Sequence, residues 1–222
     1  MSGEKLDDRW LEVKQTMGDK LLVFGRHLAH WYYHSPRRLL HCMAYYKFAS
    51  KLIGSGKRVL DVGCGEGIGT WMLAVENGFA HGVDLDADAI ACAQHNFGHD
   101  ARIRFSCEDF FEMPLQEWGA LVNFDVIEHI LPANVPAFWG KIVENLAHDG
   151  IAVIGTPNIT SDQYANPITR AGHVNLYSGE RLQAEMSQHF HHVFLFAAND
   201  EVVHTGFLPM AHYLIAVGCR KK

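Results

Sequence analysis

The stretch LDVGCGEGIG, residues 60–69, decides the fold. An apolar run feeds a turn with glycines at 63, 65, 67 and 69, and an acid stands on either side of its first pair of glycines, Asp61 and Glu66. Strand, glycine turn and helix in that order make a ligand-binding β-α unit, in which a ligand can come close to the backbone at a helix N-terminus. The dinucleotide fingerprint G-x-G-x-x-G fits neither register, because its third glycine position falls on Ile68 counted from Gly63 and on Thr70 counted from Gly65. Carboxylates beside the turn repel phosphate. The ligand expected here is cationic or zwitterionic at this end.

Outward from the turn, short apolar runs alternate with helix-period stretches, the pattern of β-α units around a mostly parallel sheet. KRVLDVG reads as strand one, with a helix from about Gly67 to Asn77. FAHGVDL is strand two, ending at Asp84, and Asp86 can cap the helix DADAIACAQHNF. RIRFSCED and GALVNFD follow as strands three and four, and an amphipathic helix is expected over 132–148 from Val135, Phe138, Trp139, Ile142, Val143 and Leu146. GIAVIGTPN is strand five, followed by a long polar loop from Asn158 to Tyr177. Ser178 can cap a further helix, and HHVFLFAAN and MAHYLIAVGCR close the sheet. Before strand one, Ser35 and Pro36 open a helix to about Leu52, with a weaker helix nearer the N-terminus. Two units are expected, an N-terminal helical extension over 1–56 on the lid or substrate side and a ligand-binding α/β domain over 57–222.

Composition narrows the function classes. No apolar run of the 222 residues reaches the roughly 20 that a membrane-spanning helix needs, and MSGEKLDDRWLEV lacks the layout of a signal peptide, so a cytoplasmic protein is expected. Five cysteines without C-x-x-C spacing argue against a disulfide framework and a structural zinc site. A formal charge of -6 gives no electrostatic reason to bind a polyanion, which sets nucleic acid aside in favour of a small-molecule partner.

S-adenosylmethionine matches the expected ligand, with an amino-acid head, a positive sulfonium and no phosphate. Asp84 stands at the end of strand two, 21 residues past Gly63, where open α/β folds place a ribose acceptor. Asp109, at the end of strand three, can accept from the adenine amino group, with Phe110 beside the ring. The successive stretches VLDVGCGEG, GVDLD, CEDF and DVIEHI resemble the motifs of class I S-adenosylmethionine-dependent methyltransferases. The resemblance implies a Rossmann-like seven-stranded, mostly parallel sheet with an antiparallel last strand and helices on both faces. It also implies S-adenosylmethionine as cofactor, with Asp61, Gly63, Cys64, Gly65, Asp84, Leu85, Asp109, Phe110 and Asn123 as its binding residues. Cys64 reads as a small residue that fits the turn, since nothing basic adjoins it in sequence. Where many relatives open strand four with Phe-Asp, this chain has Trp118-Gly119, at the end of the strand far from the ligand.

Methyl transfer is an in-line displacement, so the protein must align an acceptor and, where the acceptor carries a proton, help remove it. In DVIEHI, Asp125, Glu128 and His129 stand at spacings that share one side if the stretch is helical. His129 is the expected general base, with Glu128 and His173 beside it in the catalytic group and His204 as a competitor. The same set, Asp125, Glu128, His129 and His173, suits a divalent metal and resembles the Glu-x-x-Glu-His motif of metal-dependent small-RNA 2'-O-methyltransferases and ubiquinone-pathway O-methyltransferases, with Asp125 in place of the first Glu. The alternative is that Asp125 and Glu128 brace the following turn. WYYHSPRR can fold over the site as an aromatic lid or pack the preceding helix against the sheet. The resulting expectation is a methyltransferase, monomer or homodimer, acting on an oxygen or nitrogen of a quinone, natural product or sugar precursor. Metal-assisted 2'-O methylation of RNA and a non-catalytic S-adenosylmethionine-binding module are the alternatives.

Overall fold

The computed structural model describes residues 8–222, so residues 1–7 of the expected N-terminal extension lie outside the described part. The chain begins with α1 (Asp8–Met17), α2 (Arg26–His34) and α3 (Pro36–Ile53), and then alternates β1 (Lys57–Val62), α4 (Ile68–Asn77), β2 (Gly78–Asp84), α5 (Ala87–Phe97), β3 (Ile103–Cys107) and β4 (Trp118–Phe124). After β4 come α6 (Val135–Glu144), β5 (Leu146–Pro157), α7 (Pro167–Gly172), α8 (Gly179–His189), β6 (Phe190–Ala198), β7 (Val203–His204) and β8 (Tyr213–Lys221). Among the described residues no helix is long and apolar enough to cross a membrane.

The strands form one sheet in the order β3-β2-β1-β4-β5-β8-β6-β7. β1 to β5 are parallel neighbours, and β8 inserts antiparallel between β5 and β6. The expected seven strands are all present, and the two-residue β7 adds an eighth at the edge through the pairs Ala197–His204 and Ala198–Val203. The reversal of order at β1 and β4 opens a crevice at their carboxyl ends, where an open α/β sheet binds its ligand.

Alternation along the strands builds two cores. Val59, Val122 and Ile215 face α3, α4 and α5 through Tyr45, Ala49, Leu73 and Ala93. Their neighbours Leu60, Leu121 and Leu214 face α6 and α8 through Phe138, Trp139, Ile142, Leu182 and Met186. With both faces covered, β1 and β4 read as unbroken apolar runs. Trp118 is buried at the far end of β4, with Phe79 stacked on it and the Arg58 guanidinium 4.7 Å above its ring.

Caps end the helices much as the sequence implies. Asp86 accepts from the backbone N–H of Asp88 and Ala89, and Ser178 from that of Arg181. One helix differs from expectation. The span 132–148 is a 3-10 turn, Pro132–Asn134, followed by α6, which stops at Glu144. There the Asn145 backbone N–H and side-chain amide both donate to Lys141 O, and Leu146 passes into the sheet opposite Trp118. The segment after β5 is not a plain loop, since it holds a 3-10 turn at Ile159–Tyr164 and the short α7 capped by Asn166.

Candidate active site

The glycine turn is stitched to β2. Gly63 N–H and Cys64 N–H both donate to Val83 O at 2.8 and 3.1 Å, and Gly65 N–H donates to Asp84 Oδ2 at 2.8 Å. Asp84 Oδ1 accepts from Asp86 N–H at 2.9 Å, so two backbone donors fix the carboxylate at the mouth of the crevice. Gly65 has φ +51° with open space where a side chain would project, which leaves room for a ligand against the backbone.

A cavity of about 440 Å³ lies over these strand ends and is lined by Gly63, Cys64, Gly65, Asp84, Leu85 and Asp109, with Phe110 among them. Leu85 stands at the exposed rim, and Asp109 accepts from Phe111 N–H at 2.9 Å. Phe110 is buried, edge-on to Phe138 at 5.7 Å. Seven of the described lining residues are carboxylates and one, Arg38, is a permanent cation.

Two of the nine expected cofactor residues do not reach this cavity. Asn123 is fully buried in β4 and donates to Val62 O at 2.9 Å. Asp61 is fully buried behind the turn, where it accepts from Tyr46 Oη at 3.0 Å and Thr70 Oγ1 at 2.6 Å. Burial pushes its carboxyl up to about 7, against the lowering effect of the two hydroxyls. Asp61 therefore ties α3 and α4 to β1. Glu66 borders the cavity, but its two oxygens accept from His27 N–H at 2.8 Å and Leu28 N–H at 2.9 Å. It takes the part of a capping side chain at the N-terminus of α2, whose own N-cap is Gly25, and a side chain at Gly25 would collide with the Glu66 carboxylate. Both acids that flank the turn are thus committed to protein donors, and the acidity facing the ligand comes from elsewhere.

DVIEHI is not a helix. Asp125 has φ +57°, which breaks the backbone immediately after β4, and a single 3-10 turn, Ile127–His129, follows. The break sends the side chains apart. Asp125 pairs with Arg38 at 2.8 Å, while Glu128 turns inward and accepts from Thr156 Oγ1 at 3.0 Å. Burial first, and the Asp125 charge second, push Glu128 up to about 8. The Glu128 backbone oxygen accepts from Val174 N–H and Asn175 N–H, which draws the segment after β5 against this turn and brings His173 within 5.0 Å of His129, ring to ring. His129 Nδ1 lies 2.8 Å from Gly172 O, and a carbonyl can only accept, so Nδ1 carries a proton and in the neutral ring Nε2 holds the lone pair. Burial, with His129 next, lowers the His173 pKa. His129, Glu128 and His173 all line the cavity, whereas His204 lies at the β7 edge, bound to Gly206 N–H, and does not.

The segment from Val59 to Gly150 matches the methyltransferase domain family, residues 59–150. Together with the relatives and similar folds, this match supports a class I S-adenosylmethionine-dependent methyltransferase domain. The chain is 31% identical over 122 residues to a ubiquinone biosynthesis O-methyltransferase of Bradyrhizobium sp. (strain ORS 278), covering 54% of this chain and 47% of that one. It is 30% identical over 127 residues to the enzyme of the same description from Glaesserella parasuis serovar 5 (strain SH0165), covering 54% and 53%. It thus spans about half the length of the curated relatives it matches. Its fold is similar to that of the N-methyltransferase NodS of Bradyrhizobium japonicum, solved with S-adenosyl-L-homocysteine, at a TM-score of 0.65 and 15% identity over 96% of this chain and 99% of that one. A TehB-like methyltransferase of Corynebacterium glutamicum gives a TM-score of 0.62 at 19% identity, over 96% and 95%.

Residues that sequence reasoning missed also border the cavity. Arg38 borders the cavity and its guanidinium lies 5.5 Å over the Trp31 ring. Tyr46 and Leu28 reach the cavity from α3 and α2. Tyr32 and Tyr33 point to solvent, so of the three aromatics in WYYHSPRR only Trp31 faces the site. The signal was the pair Arg37-Arg38 in a segment otherwise rich in rings.

Proposed function

We propose that the methyltransferase moves a methyl group from S-adenosylmethionine to an oxygen or nitrogen of a small molecule, with His129 as general base. The observation that carries this reading is the Asp84 carboxylate, fixed by two backbone donors and facing an acidic cavity that runs on to His129. Bound there, S-adenosylmethionine supplies an electrophilic methyl on a positive sulfonium. The residues fit it. Asp84 is placed to accept from ribose hydroxyls, and Asp109 and Phe110 from the next strand end suit an adenine edge and face. Arg38, the permanent cation among the described lining residues, is paired with Asp125, and the surrounding acids suit the sulfonium and repel phosphate. NodS, solved with S-adenosyl-L-homocysteine on a similar fold, and the ubiquinone O-methyltransferases among the relatives support the cofactor and the type of acceptor.

His129 Nε2, with its lone pair free while Nδ1 is held by Gly172 O, takes the acceptor proton. Gly172 and His173 close against it from the segment after β5. A second reading has a specific observation in its favour. Glu128, His129 and His173 each offer a ligand atom within 4.8 Å of the others, and Glu128 Oε1 is buried without a hydrogen-bond partner. These three suit a divalent cation that would lower the pKa of an acceptor hydroxyl. Asp125, held by Arg38, leaves the expected set of four. The two readings assign His129 Nε2 to different partners. Incubation with methyl-labelled S-adenosylmethionine and small-molecule extract separates them. Label transfer that survives EDTA identifies a base, transfer that chelation abolishes while cofactor binding persists identifies a metal ligand, and binding without any transfer refutes catalysis.

A further inference from the structure

The cofactor cavity does not end at His129. A second chamber of about 490 Å³ opens beside it, and Trp31, Arg38 and His173 border both. We propose that this chamber is the acceptor subsite and that it takes an uncharged polyhydroxylated ring, a sugar or a sugar-like cyclitol, in place of an acceptor with a long aliphatic chain. The inference rests on the methyl-transfer reading above and adds the class of acceptor to it.

The walls carry the argument. Helix α3 turns Arg38, His41 and Tyr45 into the chamber at the spacing of one helix face. His30 from α2, Tyr164 from the 3-10 turn after β5, and His212 with Tyr213 at the entry to β8 complete a lining of imidazoles and phenols. Aliphatic side chains enter only from Pro157, Ala165 and Leu176 among the described residues. A prenyl or acyl tail needs a continuous apolar wall to gain from burial, and this chamber does not supply one.

The hydrogen-bonding character favours hydroxyls over ions. Burial pushes His41 below the ordinary imidazole pKa, so its neutral ring offers one donor and one acceptor. Arg38 is paired with Asp125 at 2.8 Å, and Asp162 adds a carboxylate to the wall, so an anionic acceptor meets no surplus of positive charge. Tyr213 provides an independent observation. It is 3% exposed, its ring is stacked on Tyr45 at 4.4 Å, and its buried hydroxyl has no hydrogen-bond partner. An unpaired buried hydroxyl is costly, and a ligand hydroxyl relieves that cost. Burial first, and the Asp125 charge next, keep the phenol protonated and able to donate. At the rim, Tyr164 is 72% exposed and lies 5.7 Å from the His212 ring, an aromatic face on which the C–H side of a sugar ring can rest.

The test uses the full chain saturated with S-adenosylhomocysteine and titrated at millimolar concentration with glucose, N-acetylglucosamine and rhamnose, and in parallel with a farnesylated catechol. Saturation-transfer NMR and calorimetry read binding. At least one saccharide is expected to bind, and Tyr213→Phe and His41→Ala are each expected to weaken it about tenfold while S-adenosylhomocysteine affinity and melting temperature stay at the wild-type level. Failure of S-adenosylhomocysteine itself to bind overturns both the methyl-transfer reading and this one. Intact S-adenosylhomocysteine binding with no saccharide bound, or with the farnesylated catechol bound in preference, overturns the acceptor class alone.

Discussion

The cofactor cavity is floored by strand ends that lie side by side in the sheet, whereas the second chamber is walled by α2, α3, the segment after β5 and the entry to β8, four regions far apart in the chain. The first is positioned by short bonds from the glycine turn to the adjacent strand end, such as Gly65 N–H to the Asp84 carboxylate and Gly63 N–H to Val83 O. The second depends on a few long-range side-chain links, Glu66 to α2, Arg38 to Asp125 and His129 to Gly172. A site built on strand ends is rigid by construction, and one built on loops and packed helices is held by whichever bonds join them. Cofactor recognition and acceptor recognition are thus separable, and substitutions can break one without the other.

The sharpest break comes at the junction. His129→Ala removes the proposed general base, and a loss of about 10²–10⁴-fold in kcat is expected, with S-adenosylhomocysteine affinity nearly unchanged by calorimetry. A parallel loss of cofactor affinity would mean that the two halves do not separate. A smaller effect is expected at the link between them. Glu66→Gln weakens the hold on His27 N–H and Leu28 N–H, and amide exchange in residues 25–34 is expected to speed up about tenfold or more, since charged hydrogen bonds are worth roughly 1.5–3 kcal/mol. Exchange at Gly65 should stay slow.

The smallest effect tests Asp61. Its carboxyl ionises at about 7 in the folded chain, against an ordinary value of 3.8. The folded state therefore binds more protons than the unfolded one between these values, so the Asp61 contribution to stability is greatest below the lower pKa and falls as pH rises toward the upper one. Asp61→Asn removes a slope of at most about 1.4 kcal/mol per pH unit. Melting curves across this range should fall less steeply for the variant. Equal slopes would place Asp61 in contact with solvent or ligand.

The same contrast explains what was legible in the sequence. The glycine turn, Asp84 at the end of β2 by its distance from Gly63, and the caps at Asp86 and Ser178 follow from local spacing, the antiparallel final strand follows from the family resemblance, and all stand in the structure. Side-chain direction is less local. Asp61 and Asn123 lie on the correct strands, yet tertiary packing gives them buried partners, Tyr46, Thr70 and Val62 O, that no spacing rule reveals. The shared side that a helical DVIEHI would give does not form, because Asp125, of a residue type enriched at positive φ, takes φ +57°. Arg38 reaches the site from 87 positions before Asp125 in the chain, a pairing visible only after folding.

One titration tests the central claim most directly. S-adenosylhomocysteine and NAD⁺ are added in parallel to the wild-type chain and to Asp84→Ala, with heat of binding as the readout. The account predicts a single S-adenosylhomocysteine site weakened more than about tenfold in the variant, through loss of a charged acceptor worth roughly 1.5–3 kcal/mol, and no NAD⁺ binding to either protein. Saturable NAD⁺ binding by the wild type, or S-adenosylhomocysteine affinity unchanged by the loss of Asp84, would contradict it.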